Sequence, residues 1–571
     1  MHPGQLTGPA DVHKPGGAAS RLAQVSAQLI ALAPVGCAAL YLLWIVAHFP
    51  RIISDIRLNP DASWAPVLAR DLGTGRPGGH ILVGTASHFA TIWLLVLTRG
   101  FPFRDALWDV APFVTFLVGL GIVAWAGRRI AGTWPALLIV AIGLSVTAPV
   151  LLTVMSAGNH GATYVADGVL AAFLVFWTTR SRDRVGWARV AVVVVTILVG
   201  TTLVSDPLFL PSGLGPFLGA PVALFAVTRN RKNAGVALVT MGITAASVVL
   251  ALVVNLWMQS LGFQRTYETG GYKVAPGRVA VVNFQIFGHQ LLELSNSAYS
   301  TQRSVVSHAA YIVMALFVAG ALVVPFVLLA RCLRTKRQWS NGIDEARFLY
   351  VAYWVLSGLA VCVAFSFSAF AEGPSDTSRY VSPAIFALAA TAPVWAARAD
   401  WRRVLVALGA TLFCLLSIAG RQRLFAYEIA FARAGRQGPN AIAFLESQGV
   451  TNGYTDYFDS HPLTLQADMR VHFYPVIACR TPVSHRLCPF FVNTRTNWYV
   501  PRPGTRTFLL FDPATSVVIS ASPTADLGRP MVVRRFGQLY VYIYGYDVAS
   551  KFAPPCPADS ANQYFCPKYA G

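Results

Sequence analysis

Charge is what this sequence has least of. Only 12% of its 571 residues are Asp, Glu, Lys or Arg, where a soluble domain carries about a quarter. Acidic groups are the scarcer sign, 25 against 45 Lys and Arg. In a soluble protein a formal charge of +20 points to nucleic acid. Here the basic residues sit in short clusters between apolar runs, which is how orientation in a bilayer is encoded, so no nucleic-acid partner is expected. Also missing are a Walker A loop, a Gly-x-Ser-x-Gly elbow, a His-Glu-x-x-His pair and a dinucleotide fingerprint. Their absence argues against an ATP-driven pump or a zinc protease. No apolar core lies near Met1, so no cleavable signal peptide is expected, and residues 1–26 read as a disordered cytoplasmic tail.

Long apolar runs are what the sequence has in abundance. About 20 apolar residues cover a bilayer core of about 30 Å. Eleven runs qualify, near 27–48, 106–126, 133–153, 163–178, 187–204, 213–228, 235–258, 309–330, 348–369, 381–397 and 404–419. The expected fold is therefore an all-α polytopic transmembrane bundle of about eleven helices over 27–420, followed by a small extracytoplasmic α/β domain over 421–571. Alternate connections carry Arg128 and Arg129; Arg180, Arg182 and Arg184; Arg229, Arg231 and Lys232; Arg331, Arg334, Lys336 and Arg337; and Arg398, Arg402 and Arg403. The positive-inside rule makes these cytoplasmic, so the N-terminus is inside and the C-terminal domain outside a plasma membrane.

The outer connections differ in composition. The first, 49–105, holds Asp55, Asp61 and Asp71, then an apolar stretch from Phe89 to Leu97 between His88 and Arg99. That stretch is short for a span and reads as an interfacial or re-entrant helix; taking 81–98 as a true span would invert every later loop. Another, 259–308, carries Glu268, His289 and Glu293. From 421 onward Gln437–Asn440 reads as a linker with Asn440 as N-cap of a short helix ending before Gly449. Strands are expected at 470–476, 506–511, 516–520 and 538–545, the last with Leu539, Val541 and Ile543 alternating with Tyr540, Tyr542 and Tyr544.

Cysteines divide in the same way. Cys37, Cys332, Cys362 and Cys414 fall in or beside spans and read as packing. Cys479, Cys488, Cys556 and Cys566 fall in the outer domain, where two disulfides are expected. Three pairings are open, and loop length favours Cys479–Cys488 with Cys556–Cys566. Neither pair has zinc-ligand spacing.

Chemistry has few places to reside. Ser54-Asp55-Ile56-Arg57 follows the first span and Asp61 comes six residues after Asp55. Carboxylates there could deprotonate a hydroxyl or hold a divalent cation, Mg or Mn; the plain alternative is a solvated loop with helix caps. Gly158-Asn159-His160-Gly161 is either a tight turn or a phosphate- or proton-handling His. In Asp376-Thr377-Ser378-Arg379-Tyr380, Arg379 could grip a phosphate bidentately or pair with Asp376. Asp206-Pro207, and Asp71 beside Gly73 and Gly75, read as turn chemistry. Asp167 is the main charge inside an otherwise apolar run.

An acidic residue just after the first span, a long first outer loop with an interfacial helix, and Arg379-Tyr380 before a late span together resemble the GT-C class of membrane glycosyltransferases. In the C-terminal part Gly453-Tyr454-Thr455-Asp456-Tyr457, His461-Pro462-Leu463-Thr464 and Tyr546-Asp547 are similar to the outer domain of bacterial GT-C-like membrane proteins. The resemblance implies an enzyme in contact with membrane lipid. Such an enzyme passes a sugar, with inversion, from a polyprenyl-phosphate-linked donor to a cell-envelope glycan, lipid or protein hydroxyl. By match the base is Asp55. Many relatives have two acidic residues in a row where Ile56 follows Asp55 here, so Asp55 and Asp61 both stand, the second as partner or metal ligand. His160, Arg379 and Tyr380 would contact the donor phosphate, and the outer domain the acceptor. The rival readings are a transporter or lipid flippase, for which no inverted repeat is evident, and a non-catalytic envelope scaffold.

The topology has a direct test. A membrane-impermeant thiol reagent applied to intact cells should label a cysteine placed at Ser522 and spare one placed at Ser340; the reverse pattern would invert the assignment.

Overall fold

Inside a bilayer no water is present to satisfy backbone amides, so a segment of 20 apolar residues closes its own hydrogen bonds as a helix. The structure, a computed structural model, describes residues 18–73, 80–83, 104–156, 160–180, 185–265, 274–297, 305–335, 342–368, 378–397, 399–422, 432–478, 487–490, 493–513 and 527–552. In chain order the elements are α1 (Ala18–Ile56), α2 (Pro60–Gly73), β1 (Ile81–Val83), α3 (Arg104–Ala131), α4 (Thr133–Leu144), α5 (Ala148–Met155), α6 (Gly161–Thr179), α7 (Val185–Ser205), α8 (Gly215–Thr228), α9 (Arg231–Ser260) and β2 (Phe263–Arg265). There follow α10 (Gly277–Leu294), α11 (Val305–Arg334), α12 (Gly342–Ser366), α13 (Ser378–Ala396) and α14 (Asp400–Ala419). The C-terminal part holds α15 (Ala432–Ser447), β3 (Asn452–Thr455), α16 (Tyr457–Gln466), β4 (His472–Ala478), β5 (Leu487–Pro489), β6 (Thr494–Arg495), β7 (Thr507–Phe511), β8 (Val532–Phe536) and β9 (Leu539–Tyr544).

Among the described residues nine helices are long and apolar enough to cross a membrane, and a bent pair makes a tenth. The protein is thus a multi-pass membrane protein, with two departures from the eleven expected runs. The run at 133–153 is broken: α4 and α5 meet at 89°, across Ser145 and Thr147, with Thr147 extended and a proline at the start of α5. The run at 381–397 does form a helix, α13, but Arg379, Tyr380, Pro383 and Pro393 dilute its hydropathy, and it falls outside the nine. The interfacial helix expected at 89–97 lies outside the described residues.

The bundle has two unlike ends. At one, Lys232 donates to Glu345 (3.0 Å) and Arg347 to the Ile130 carbonyl (2.7 Å), gathering the basic termini of α3, α9 and α12. At the other, Arg57 grips Asp109 bidentately (3.1 and 2.7 Å), joining the end of α1 to the start of α3. The C-terminal domain attaches at this second end, through α2.

Its sheet runs β5-β4-β3-β7-β9-β8, with β4, β3 and β7 parallel in the centre. Gly453 is required in β3, because a Cβ there would lie 2.4 Å from Phe508. The period-two reading of the last strand holds: Leu539, Val541 and Ile543 enter one core with Ile442, Leu445 and Phe473 under α15 and α16. Tyr544, with Leu509 and Phe511 of β7, enters another core with Trp64 and Leu68 of α2. The expected linker at 437–440 is instead helical, since α15 begins at Ala432 and carries Pro439 within it. The expected strand at 516–520 lies outside the described residues.

A second, three-stranded sheet, β2-β1-β6, draws the first connection, the 259–308 connection and the C-terminal domain together. Beside it Arg495 of β6 donates to Asp71 of α2 (2.6 Å), both side chains almost fully buried. Asp71 is therefore no turn residue but one half of an interdomain ion pair, and Arg70 adds a bond to Asp468 (2.7 Å). Cys37, Cys332, Cys362 and Cys414 are free thiols. Cys488, in β5, is disulfide-bonded; Cys479, Cys556 and Cys566 lie outside the described residues, so the pairing stays an expectation.

Removing one partner of a buried pair leaves the other charge uncompensated, at about 3–5 kcal/mol. Asp71→Asn should accordingly lower the melting temperature and loosen the C-terminal domain toward protease. A variant as stable and protease-resistant as the parent would deny the pair a docking role.

Candidate functional site

The domain end of the bundle collects most of the candidate residues. Asp55 is half-buried near the end of α1, between Ile53 and Ile56, and these two isoleucines belong to the same hydrophobic cluster as Tyr164 of α6 and Val381 of α13. Asp61 falls in the first turn of α2, and the role expected of it rests on a side chain outside the described residues.

His160 caps α6 and is buried. Its Nδ1 donates to Asp206 Oδ2 (2.6 Å). Thr163 Oγ1 donates to the same oxygen, and the Leu208 amide to Oδ1 (2.9 Å). Asp206, expected to be only a turn, is thus the fully buried centre of a three-donor cluster. With Nδ1 the donor, Nε2 is the acceptor nitrogen whenever the ring is neutral. The His160 ring meets the Tyr380 ring edge-on at 5.2 Å. Tyr164 OH donates to the Arg379 carbonyl, and the Arg379 guanidinium lies 5.2 Å from the centre of the Tyr380 ring. So the structure brings His160, Arg379 and Tyr380 together and adds Thr163, Tyr164 and Asp206. One signal could have found the first two: His160, Thr163, Tyr164 and Asp167 recur at helical spacing along an otherwise apolar helix. Asp167 is buried in turn, and Gly213 makes its room, since a Cβ there would stand 2.3 Å from Asp167 Oδ1.

A second constellation lies in the C-terminal domain. Neighbouring parallel strands β3 and β7 end at Asp456 and Asp512, and Asp459 follows on α16; all three are buried. Burial pushes Asp456 up to about 6 against the amides of Asp459 and Phe458, and Asp512 adds to the rise. Burial, then Asp456 and Asp512, holds Asp459 well above the usual carboxylate range. Burial alone depresses His461 to about 3. Among the described residues no group of three or more His, Cys, Asp or Glu is arranged to hold a metal ion, and the expected cation site depends on Asp61.

The architecture, a helical membrane bundle capped by an α/β domain, is GT-C-like. It matches the apo crystal structure of ArnT from Cupriavidus metallidurans with a TM-score of 0.52 at 14% identity, over 90% of this chain and 99% of that one. The structure of the same protein bound to undecaprenyl phosphate gives 0.48 at 15% identity over the same shares. Neither a family model nor a curated protein matches the sequence. At such identity the likeness establishes fold.

The acidic cluster predicts a pH signature. A carboxyl whose folded pKa is raised stabilises the fold below its unfolded value and loses that contribution as pH rises through the folded one. Asn mimics the protonated form, so Asp459→Asn should melt above the parent at pH 8, with the gap narrowing at pH 5. Comparing the two proteins cancels the opposite contribution of His461, and a gap independent of pH would refute the assignment.

Proposed function

We propose that this protein is a membrane glycosyltransferase of the bacterial plasma membrane, working at the domain end of its bundle on the extracytoplasmic side. It takes a sugar from a polyprenyl-phosphate-linked donor and passes it to a cell-envelope glycan, lipid or protein hydroxyl. The observation that carries the reading is the convergence of His160, Tyr380 and Arg379. The Tyr164–Arg379 bond joins positions 215 residues apart at the end of the bundle where α1 delivers Asp55. The GT-C-like fold supports it by analogy.

In this reading Asp55 takes the proton of the acceptor hydroxyl, with Asp61 as its partner or as a cation ligand. The freed oxygen attacks the anomeric carbon as the bond from that carbon to the phosphate oxygen breaks, and polyprenyl phosphate leaves with the bonding pair. Arg379 and His160 hold the phosphate, where negative charge grows, and Tyr380 fixes both. The C-terminal domain receives the acceptor. A bound divalent cation would supply further charge neutralisation.

A second reading, lipid transport, draws on buried Asp167, since an ionisable group within a span is functional by default. Radiolabelled sugar transfer in membranes separates the two. Asp55→Asn should lower the rate by about 10²- to 10⁴-fold, the usual worth of a general base. Arg379→Lys should also weaken transfer, because it loses the planar fork. Full transfer in Asp55→Asn, Asp61→Asn and the double variant would end the mechanism. Absent transfer, together with Asp167-dependent lipid movement in proteoliposomes, would favour transport.

A further inference from the structure

The basic end of the bundle carries a feature that sugar transfer does not use. Trp125 of α3, Phe173 and Phe176 of α6, and Trp187, Val190 and Val194 of α7 line an open, mostly apolar cleft of about 400 Å³. On α6 the stripe Val169, Phe173, Phe176 continues at helical spacing into Arg180. The Arg180 guanidinium carbon lies 3.2 Å from the centre of the Trp177 ring, and Trp177 stacks on Phe173 at 5.5 Å. Its Nη1 is buried without a hydrogen-bond partner among the described residues. One turn beyond Trp125 stand Arg128 and Arg129, both exposed. Among the described residues no carboxylate pairs with Arg128, Arg129 or Arg180.

We propose that this cleft is a binding site for an anionic glycerophospholipid, with one acyl chain in the apolar groove and the headgroup phosphate on Arg180 and Arg129. Charge complementarity selects the occupant. Three guanidiniums without a carboxylate partner among the described residues, at the mouth of an apolar groove, suit an anion attached to a hydrocarbon chain, and arginine meets phosphate with a planar fork. Trp177 orients that fork by covering one face of Arg180. Trp125 and Trp187, the latter 70% exposed, set the depth, since tryptophan settles at headgroup level. Length argues against a polyprenyl phosphate. The groove follows α6 from Val169 to Phe176, about 10 Å at 1.5 Å per residue, which suits part of one acyl chain. Along α6, which runs from the N-cap His160 to the C-cap Arg180, the two side chains stand about 30 Å apart at 1.5 Å per residue, so one lipid phosphate cannot occupy both.

The test uses the purified full-length protein in detergent. Its melting temperature is read with added dioleoyl-phosphatidylglycerol, dioleoyl-phosphatidylcholine or undecaprenyl phosphate, and native mass spectrometry reads the lipid that co-purifies. Phosphatidylglycerol should raise the melting temperature more than phosphatidylcholine, and adducts of anionic lipid should predominate. Arg129→Gln and Arg180→Gln should each remove most of that difference, and Arg180→Lys should restore part of it. Equal response to both phospholipids, or a preference for phosphatidylglycerol unchanged in Arg129→Gln, would overturn the proposal. So would a larger Arg180-dependent response to undecaprenyl phosphate. Arg129 is exposed, so its variant decides the matter even if Arg180→Gln does not fold.

Discussion

At the domain end of the bundle, the start of α6 and the end of α7 are registered by one buried hydrogen bond, His160 Nδ1 to Asp206 Oδ2 at 2.6 Å. The two residues come from separate connections, one entering α6 and the other leaving α7, with 46 positions between them. Joining them fixes how far each helix travels before it turns. Tyr164 lies one turn beyond His160, and its hydroxyl then meets the Arg379 carbonyl, so the start of α13 is located by the same bond. Burying the Asp206 carboxylate is expensive unless its oxygens find further donors besides His160. Thr163 and the Leu208 amide meet that condition here. Losing the carboxylate would free three donors at once, which makes Asp206 a positioning residue whatever reaction the site performs.

The C-terminal domain is held by the opposite economy of means, many small contacts and one buried pair. Strand β1 has only three residues, too short to stand alone, yet it accepts β2 on one side and β6 on the other. Three distant stretches of chain thus share a single sheet. The Asp71–Arg495 pair beside it adds orientation more than net stability, because desolvating both ions offsets most of their attraction. Trp64 and Leu68 of α2 supply the hydrophobic contact, packing on the same cluster as Tyr454 and Tyr544. The domain therefore rides on α2, which follows directly on the helix end that carries Asp55.

How much of this was legible in the sequence follows from how local each signal is. The spanning helices were, because hydropathy is a property of a single segment. The tyrosine strand was as well, since period two is read from neighbours. His160, Arg379 and Tyr380 stood out as polar residues at the mouths of apolar runs. Asp71 and Asp206 did not: each sits beside the glycines or proline of an ordinary turn, and their partners lie 424 and 46 positions away. The break between α4 and α5 was hidden because Ser145 and Thr147 barely interrupt an apolar run, while the 89° bend depends on buried neighbours. Pro439 misled in the other direction. Gly438 packs against Leu463 and Gln466, and tertiary packing carried a helix through a sequence that reads as a linker.

The two ends of α6 place different demands on the two anion contacts proposed for the bundle. A helix N-terminus offers unsatisfied amides and the positive end of the backbone dipole. In the proposed transferase site, His160, held in place by Asp206, and Arg379 of α13 add to that favourable end. A helix C-terminus presents carbonyls and repels anions. Both α3 and α6 finish at the basic end, where Arg347 already donates to the Ile130 carbonyl. To hold a phosphate there the chain must overcome two unfavourable dipole ends. It places Arg128 and Arg129 in the last turn of one helix and Arg180 just beyond the other, with Trp177 beneath Arg180. The same clustering that reads as a topology signal is, at this cleft, also what an anionic headgroup needs.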